Sequence, residues 1–137
     1  MLKKGYLMIK GSCCCGAIKF ELTSSPSMMG MCHCSRCRKV GASALAFVDK
    51  KSFNLLEGQE FIQRYEPNPP FKHARTFCKN CGTSLGEIGS ESDSFPISVN
   101  CLDDDPEVRT QFHVYVGSKP AWYEICDGAK QFQESPA

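Results

Sequence analysis

A mainly β fold, in one domain over residues 1–137 with a few short helical turns, follows from three features of this sequence. Short apolar-alternating segments recur along it, turn-forming residues separate them, and no stretch keeps a helical period. Ala17 to Thr23 alternates, with Ile18, Phe20 and Leu22 on one face and Lys19 and Glu21 on the other, as a half-buried strand requires. Ala44 to Val48 is a short apolar run. Phe53 to Leu56 and Phe61 to Tyr65 read as a pair of strands around a turn at Gly58. His73 to Phe77, Thr83 to Ile88, Phe95 to Cys101 and Phe112 to Val116 complete the predicted strands.

The segment Glu66-Pro67-Asn68-Pro69-Pro70 must be loop, because its prolines cannot donate to a ladder. Leu102 to Val108, with three aspartates and Pro106, is loop or a single helical turn. Lys130 to Ala137 is polar and predicts a frayed tail.

A chain of this length can bury a core without help from metal or disulfides. Its ten cysteines therefore call for another explanation. The opening residues MLKKGYLMIKGS hold no apolar run long enough for a signal peptide or a membrane span. The expectation is a cytoplasmic protein, and in a reducing compartment clustered cysteines point to metal or catalysis. A net charge of +1, with Lys and Arg scattered, argues against a nucleic-acid partner.

Eight of the ten cysteines fall into three clusters: Cys13, Cys14 and Cys15; Cys32, Cys34 and Cys37; Cys78 and Cys81. Cys78-Lys79-Asn80-Cys81-Gly82 is a tight turn whose backbone N–H groups can face the sulfurs, with Gly82 supplying a left-handed conformation. It offers half of a tetrahedral site. Cys13 and Cys15 are the natural other half, since residues i and i+2 of extended backbone share a face, and Cys14 then points away. Four thiolates on zinc make a closed structural site that would offset the entropy of closing a loop of more than sixty residues.

Cys32, Cys34 and Cys37 supply three thiolates, one short of a closed site, which leaves a position for water or substrate as in catalytic zinc centres. Two alternatives stay open on spacing alone. A fourth ligand (His33, His73, His113 or Cys101) could close the site, or Cys34 and Cys37 could be a metal-free redox pair. Cys14, Cys101 and Cys126 read as buried small hydrophobes. His73 and His113 read as ordinary strand histidines, and Trp122 and Tyr123 as core or rim. Arg36, Arg38 and Lys39 are either solvated charge or a counterweight to the thiolates that attracts an anionic substrate.

The clusters GSCCCGAIKFE (11–21), CHCSRCR (32–38) and FCKNCGTSL (77–85), in that order, resemble the glutathione-dependent formaldehyde-activating enzyme (GFA) family. CLDDDP (101–106) and HVYVGSKPAWY (113–123) extend the likeness, which covers about residues 9 to 125. The resemblance implies a β-tent of packed antiparallel sheets stapled by zinc. It implies a structural zinc on Cys13, Cys15, Cys78 and Cys81 and a catalytic zinc on Cys32, Cys34 and Cys37. It implies a carbon–sulfur lyase that adds the thiol of glutathione to formaldehyde, giving S-hydroxymethylglutathione. Cys14 departs from the family pattern, in which many members carry histidine or another residue. Two other classes remain in view: a non-catalytic zinc module that binds a protein, and a thiol–disulfide oxidoreductase that needs no metal.

Overall fold

The computed structural model describes residues 8–136 and contains two sheets. The absence of a leader was read partly on residues 1–7, which lie outside the described residues, as does Ala137. Among the described residues no helix is long and apolar enough to cross a membrane.

The smaller sheet has the order β1-β2-β5, built from β1 (Ile9–Ser12), β2 (Lys19–Leu22) and β5 (Phe53–Glu57), all antiparallel. The larger sheet takes the remaining strands. These are β3 (Met28–Cys32), β4 (Ala44–Asp49), β6 (Ile62–Tyr65), β7 (Arg75–Cys78), β8 (Ser84–Gly86), β9 (Ser94–Ser98), β10 (Phe112–Val114) and β11 (Lys130–Gln131). Their order is β11-β10-β3-β4-β9-β8-β7-β6. It is antiparallel from β3 to β6, whereas β10 runs parallel to both β3 and β11. One short helix, α1 (Ser35–Lys39), follows β3.

Alternation decides which side of each strand is buried. Phe20 and Leu22 of β2, Ala46 and Val48 of β4, and Phe95 and Ile97 of β9 all enter one core, with Ile9, Ile18 and Leu85. Each large side chain removed from water there contributes about 2 kcal/mol before entropy is counted. Phe53 joins the two sheets, stacking on Phe20 at 5.2 Å and meeting Phe95 edge-on at 5.6 Å.

The predicted strands are present, with four differences. β5 and β6 do not pair with each other. The chain turns at Gly58 (φ 92°) and leaves one sheet for the other, so the apparent hairpin is a crossing. Cys13 to Cys15 is not extended either. It is the turn between β1 and β2, closed by Gly16 N–H on the Cys13 carbonyl at 3.0 Å. The tail predicted to fray is paired: β11 extends the sheet, and Val116 N–H donates to the Phe132 carbonyl at 3.0 Å. Its polar side chains do not matter there, because backbone groups make the contact. Finally, of the three cysteines read as buried, only Cys101 is; Cys14 sits on the exposed turn and Cys126 in an exposed loop.

Candidate functional site

Cys13, Cys15, Cys78 and Cys81 converge, each sulfur within 4.8 Å of the others. Two loops bring them together. Cys13 and Cys15 belong to the β1–β2 turn, and Cys78 ends β7 before the turn closed by Gly82 N–H on the Cys78 carbonyl (2.7 Å). Gly82 has φ 83°, the left-handed geometry read from the sequence. Sulfur separations of 3.6 Å (Cys13–Cys15) and 3.9 Å (Cys15–Cys78) bracket the edge of about 3.8 Å that four sulfurs at about 2.3 Å from a tetrahedral zinc would have. They are far from a bonded S–S distance, and all ten cysteines are free. The donor set and spacing therefore fit a metal ion.

The surroundings favour thiolate. Ile18 N–H points at Cys13 Sγ (3.3 Å), and Asn80 Nδ2 donates to Cys15 Sγ (3.3 Å), the main reason the Cys15 pKa is lowered. Cys81 is lowered to about 5, first by the hydrogen bond from the Thr83 hydroxyl. Burial pushes Cys78 up to about 11. Cys14 is no part of the cluster; its N–H anchors the turn on Thr83 Oγ1 at 2.9 Å.

Cys32, Cys34 and Cys37 form a second group with sulfurs inside the same 4.8 Å limit. Cys32 ends β3, Cys34 caps α1 by accepting the Cys37 N–H (3.4 Å), and Cys37 is the buried residue of that helix. Among the described residues no fourth Cys, His, Asp or Glu joins them within that distance.

Each candidate fourth ligand is engaged elsewhere. His33 points to the opposite side, where its Nε2 lies 2.8 Å from His113 Nδ1. His113 Nε2 in turn lies 3.0 Å from Asp127. His73 pairs with Glu87 at 3.3 Å, and buried Cys101 donates to the Ser98 carbonyl at 3.0 Å. Desolvation is the main reason the His33 pKa is lowered, followed by the charges of His113 and Lys119. The chain His33–His113–Asp127 escaped the sequence reading, although one signal existed. Alternation between Cys32 and Cys34 already aims His33 at the other face.

A second feature the sequence did not reveal is Arg75 on β7. Both of its terminal nitrogens lie 3.7 Å from Cys37 Sγ. Cys37 is lowered to about 5, first by its hydrogen bond with Cys32 and then, after the opposing effect of burial, by Arg75. Cys32 moves the other way, because it serves as the donor of that pair and is desolvated. Arg75 also lines a cavity of about 380 Å³ whose walls include Arg36, Lys39, Tyr65, Phe77 and Ser84. Arg36 and Lys39 thus face it, whereas the Nε of Arg38 is buried without a hydrogen-bond partner. Trp122 is 78% exposed, a rim residue, and Tyr123 packs on His33 with ring centres 5.3 Å apart.

The chain is similar to known proteins over most of its length. A Halomonas elongata protein named "Putative glutathione-dependent formaldehyde-activating enzyme" is 27% identical over 131 residues, covering 87% of this chain and 82% of its own. A crystal structure of a Rhodobacter sphaeroides protein superposes with a TM-score of 0.57 at 26% identity, over 70% of this chain and 89% of that one. The profile of one family, described as glutathione-dependent formaldehyde-activating enzyme, matches residues 8–118, a span that takes in both cysteine groups, and the chain belongs to that family.

Proposed function

We propose that this chain is a single-domain, zinc-dependent carbon–sulfur lyase that adds glutathione to formaldehyde, giving S-hydroxymethylglutathione. The observation that carries the proposal is the group of three sulfurs that no fourth Cys, His, Asp or Glu joins among the described residues, with Arg75 set between Cys37 and a cationic cavity. Cys13, Cys15, Cys78 and Cys81 would hold a structural zinc, and Cys32, Cys34 and Cys37 a catalytic one. Zinc in the second site would supply a position that acidifies an entering thiol.

The protein's own residues do the rest. Cys34 is held by the helix it caps, and Cys37 is held by Arg75. Arg75 also offsets the negative charge that three thiolates, and then a fourth, bring to one place. In the reaction a C–S bond forms to the carbonyl carbon, and the carbonyl π pair moves to oxygen. That oxygen takes up the proton the thiol gave up, so atoms and charge balance. Ten free cysteines suit a reducing compartment such as the cytoplasm.

The uncatalysed addition is fast and reversible, so the test is exchange at equilibrium. Two-dimensional exchange NMR on glutathione and formaldehyde should show faster interconversion with zinc-loaded protein, and none of that acceleration with Cys34→Ser. Equal exchange rates with and without wild-type protein would remove this enzyme.

A further inference from the structure

We infer that His113 and Asp127 are positioning residues for the three-cysteine group: acting through His33, they fix the direction in which Cys32 and Cys34 present their sulfurs. The inference rests on the reading of Cys32, Cys34 and Cys37 as a metal site. His33 stands between two of those cysteines. Cys32 N–H donates to the Ser43 carbonyl at 2.9 Å and His33 N–H to the Val114 carbonyl at 3.0 Å. Cys34 keeps extended backbone, with φ −66° and ψ 155°. In extended backbone neighbouring side chains take opposite faces. A His33 ring held on one face therefore holds both sulfurs on the other.

A single line of contacts holds that ring. His33 Nε2 lies 2.8 Å from His113 Nδ1, and His113 Nε2 lies 3.0 Å and 3.1 Å from the two Asp127 carboxylate oxygens. Asp127 stays ionised, its pKa lowered first by the Ala129 N–H and then by His113. A carboxylate only accepts, so the His113 proton sits on Nε2, and His113 Nδ1 accepts the proton of His33 Nε2. The carboxylate thus sets the tautomer and the orientation of both rings. The rings also stack, with centres 5.0 Å apart and planes 18° from parallel.

Filling space does not account for this line. Both histidines are buried, at a desolvation cost that two apolar rings would not carry. Asp127 is itself anchored. Ala129 N–H donates to its Oδ1 at 3.0 Å, and beyond it β11 runs parallel to β10, with Phe132 N–H on the His113 carbonyl at 2.8 Å. Asp127 lies past residue 118, where the matched family profile ends, so the chain's own C-terminal segment supplies this anchor.

The test loads the full chain with cobalt, records its absorption spectrum, and follows release of the metal to a chromogenic chelator. The phase absent from Cys37→Ser identifies the three-cysteine cobalt. The Asp127 side chain is 46% exposed, so Asp127→Ala should melt near the wild type. It should release the three-cysteine cobalt about tenfold faster and shift its d–d bands, with the four-cysteine cobalt released at the wild-type rate. Asp127→Asn, whose amide oxygen still accepts from His113 Nε2, should stay within about twofold of the wild type. Unaltered release in Asp127→Ala, faster release from both sites alike, or an Asn variant as fast as the Ala variant would overturn the positioning role and leave the metal reading standing. A wild type that takes up only one cobalt per chain would overturn that reading and this inference together.

Discussion

Two thiols of this chain are tuned far below an ordinary cysteine, and for different reasons. Cys81 is exposed and lowered to about 5 chiefly by the Thr83 hydroxyl. Cys37 is buried and lowered to about 5 by Cys32 and Arg75. The thiolate is the nucleophile, so a lowered pKa populates the reactive form once the pH exceeds it. Protein stripped of metal should therefore be alkylated by iodoacetamide at pH 6 first at Cys81, then at Cys37. Cys78, raised to about 11, and Cys101, raised to about 12, should lag. Peptide mapping reads the order, and zinc should protect Cys81 and Cys37 but not Cys14. Early labelling of Cys78 would contradict the assignment.

His113 is the other residue with a definite cost. It is 1% exposed and partners both His33 and Asp127. His113→Phe keeps an aromatic ring but leaves buried His33 unpaired, and should cost about 2 kcal/mol in urea unfolding. A loss below about 0.5 kcal/mol would mean that the pair is not a stabilising contact.

At the scale of elements, the β1–β2 turn and the turn after β7 assemble the four-cysteine group, whereas the three-cysteine group spans the end of β3 and the start of α1. Gly58 shows the constraint. A Cβ there would lie 2.3 Å from the Ala17 carbonyl oxygen and 2.7 Å from Ile18 Cα, on backbone already at φ 92°. Gly58→Ala should cost about 3 kcal/mol and should disturb the Cys13–Cys15 turn that Ala17 and Ile18 follow.

The two candidate metal sites should separate in thermal melts of purified variants. Cys78→Ser joins β7 to the β1–β2 turn no longer, and should lower the melting temperature sharply, as loss of a structural zinc does. Cys37→Ser should melt near the wild type and lose only the more labile metal. Equal losses would erase the distinction between the sites. The strands themselves were legible wherever alternation was clean, as in Ile18, Phe20 and Leu22. β3 (Met28 to Cys32) was not, because a methionine-rich run with Gly30 has no period, and β11 was hidden by its polar side chains. The partnership of β5 and β6 was misread because a turn glycine does not say which sheet the next strand joins.

At the scale of the whole molecule, the cysteine spacing foretold both groups. Groups of four and of three cysteines are readable from i, i+2 and i, i+3 patterns even where the local backbone was taken for strand instead of turn. What spacing could not supply was the long-range company of the three-cysteine group. Arg75 lies 38 residues from Cys37, and His113 lies 80 from His33. Both are placed by register, through the β7 side of the sheet and the parallel pairing of β10 with β3. These contacts set Arg75 against the three-cysteine group and hold His33 and His113, two candidate fourth ligands, in a separate pair.

An open three-cysteine site is the central claim, and zinc-edge X-ray absorption of freshly purified, zinc-loaded protein tests it most directly. With one zinc on four cysteines and one on three, the account predicts about 3.5 sulfurs per zinc at about 2.3 Å, with the remainder oxygen or nitrogen at about 2.0 Å. Addition of glutathione should raise the sulfur count to about four. Four sulfurs per zinc from the outset, or a count that glutathione does not change, would contradict it.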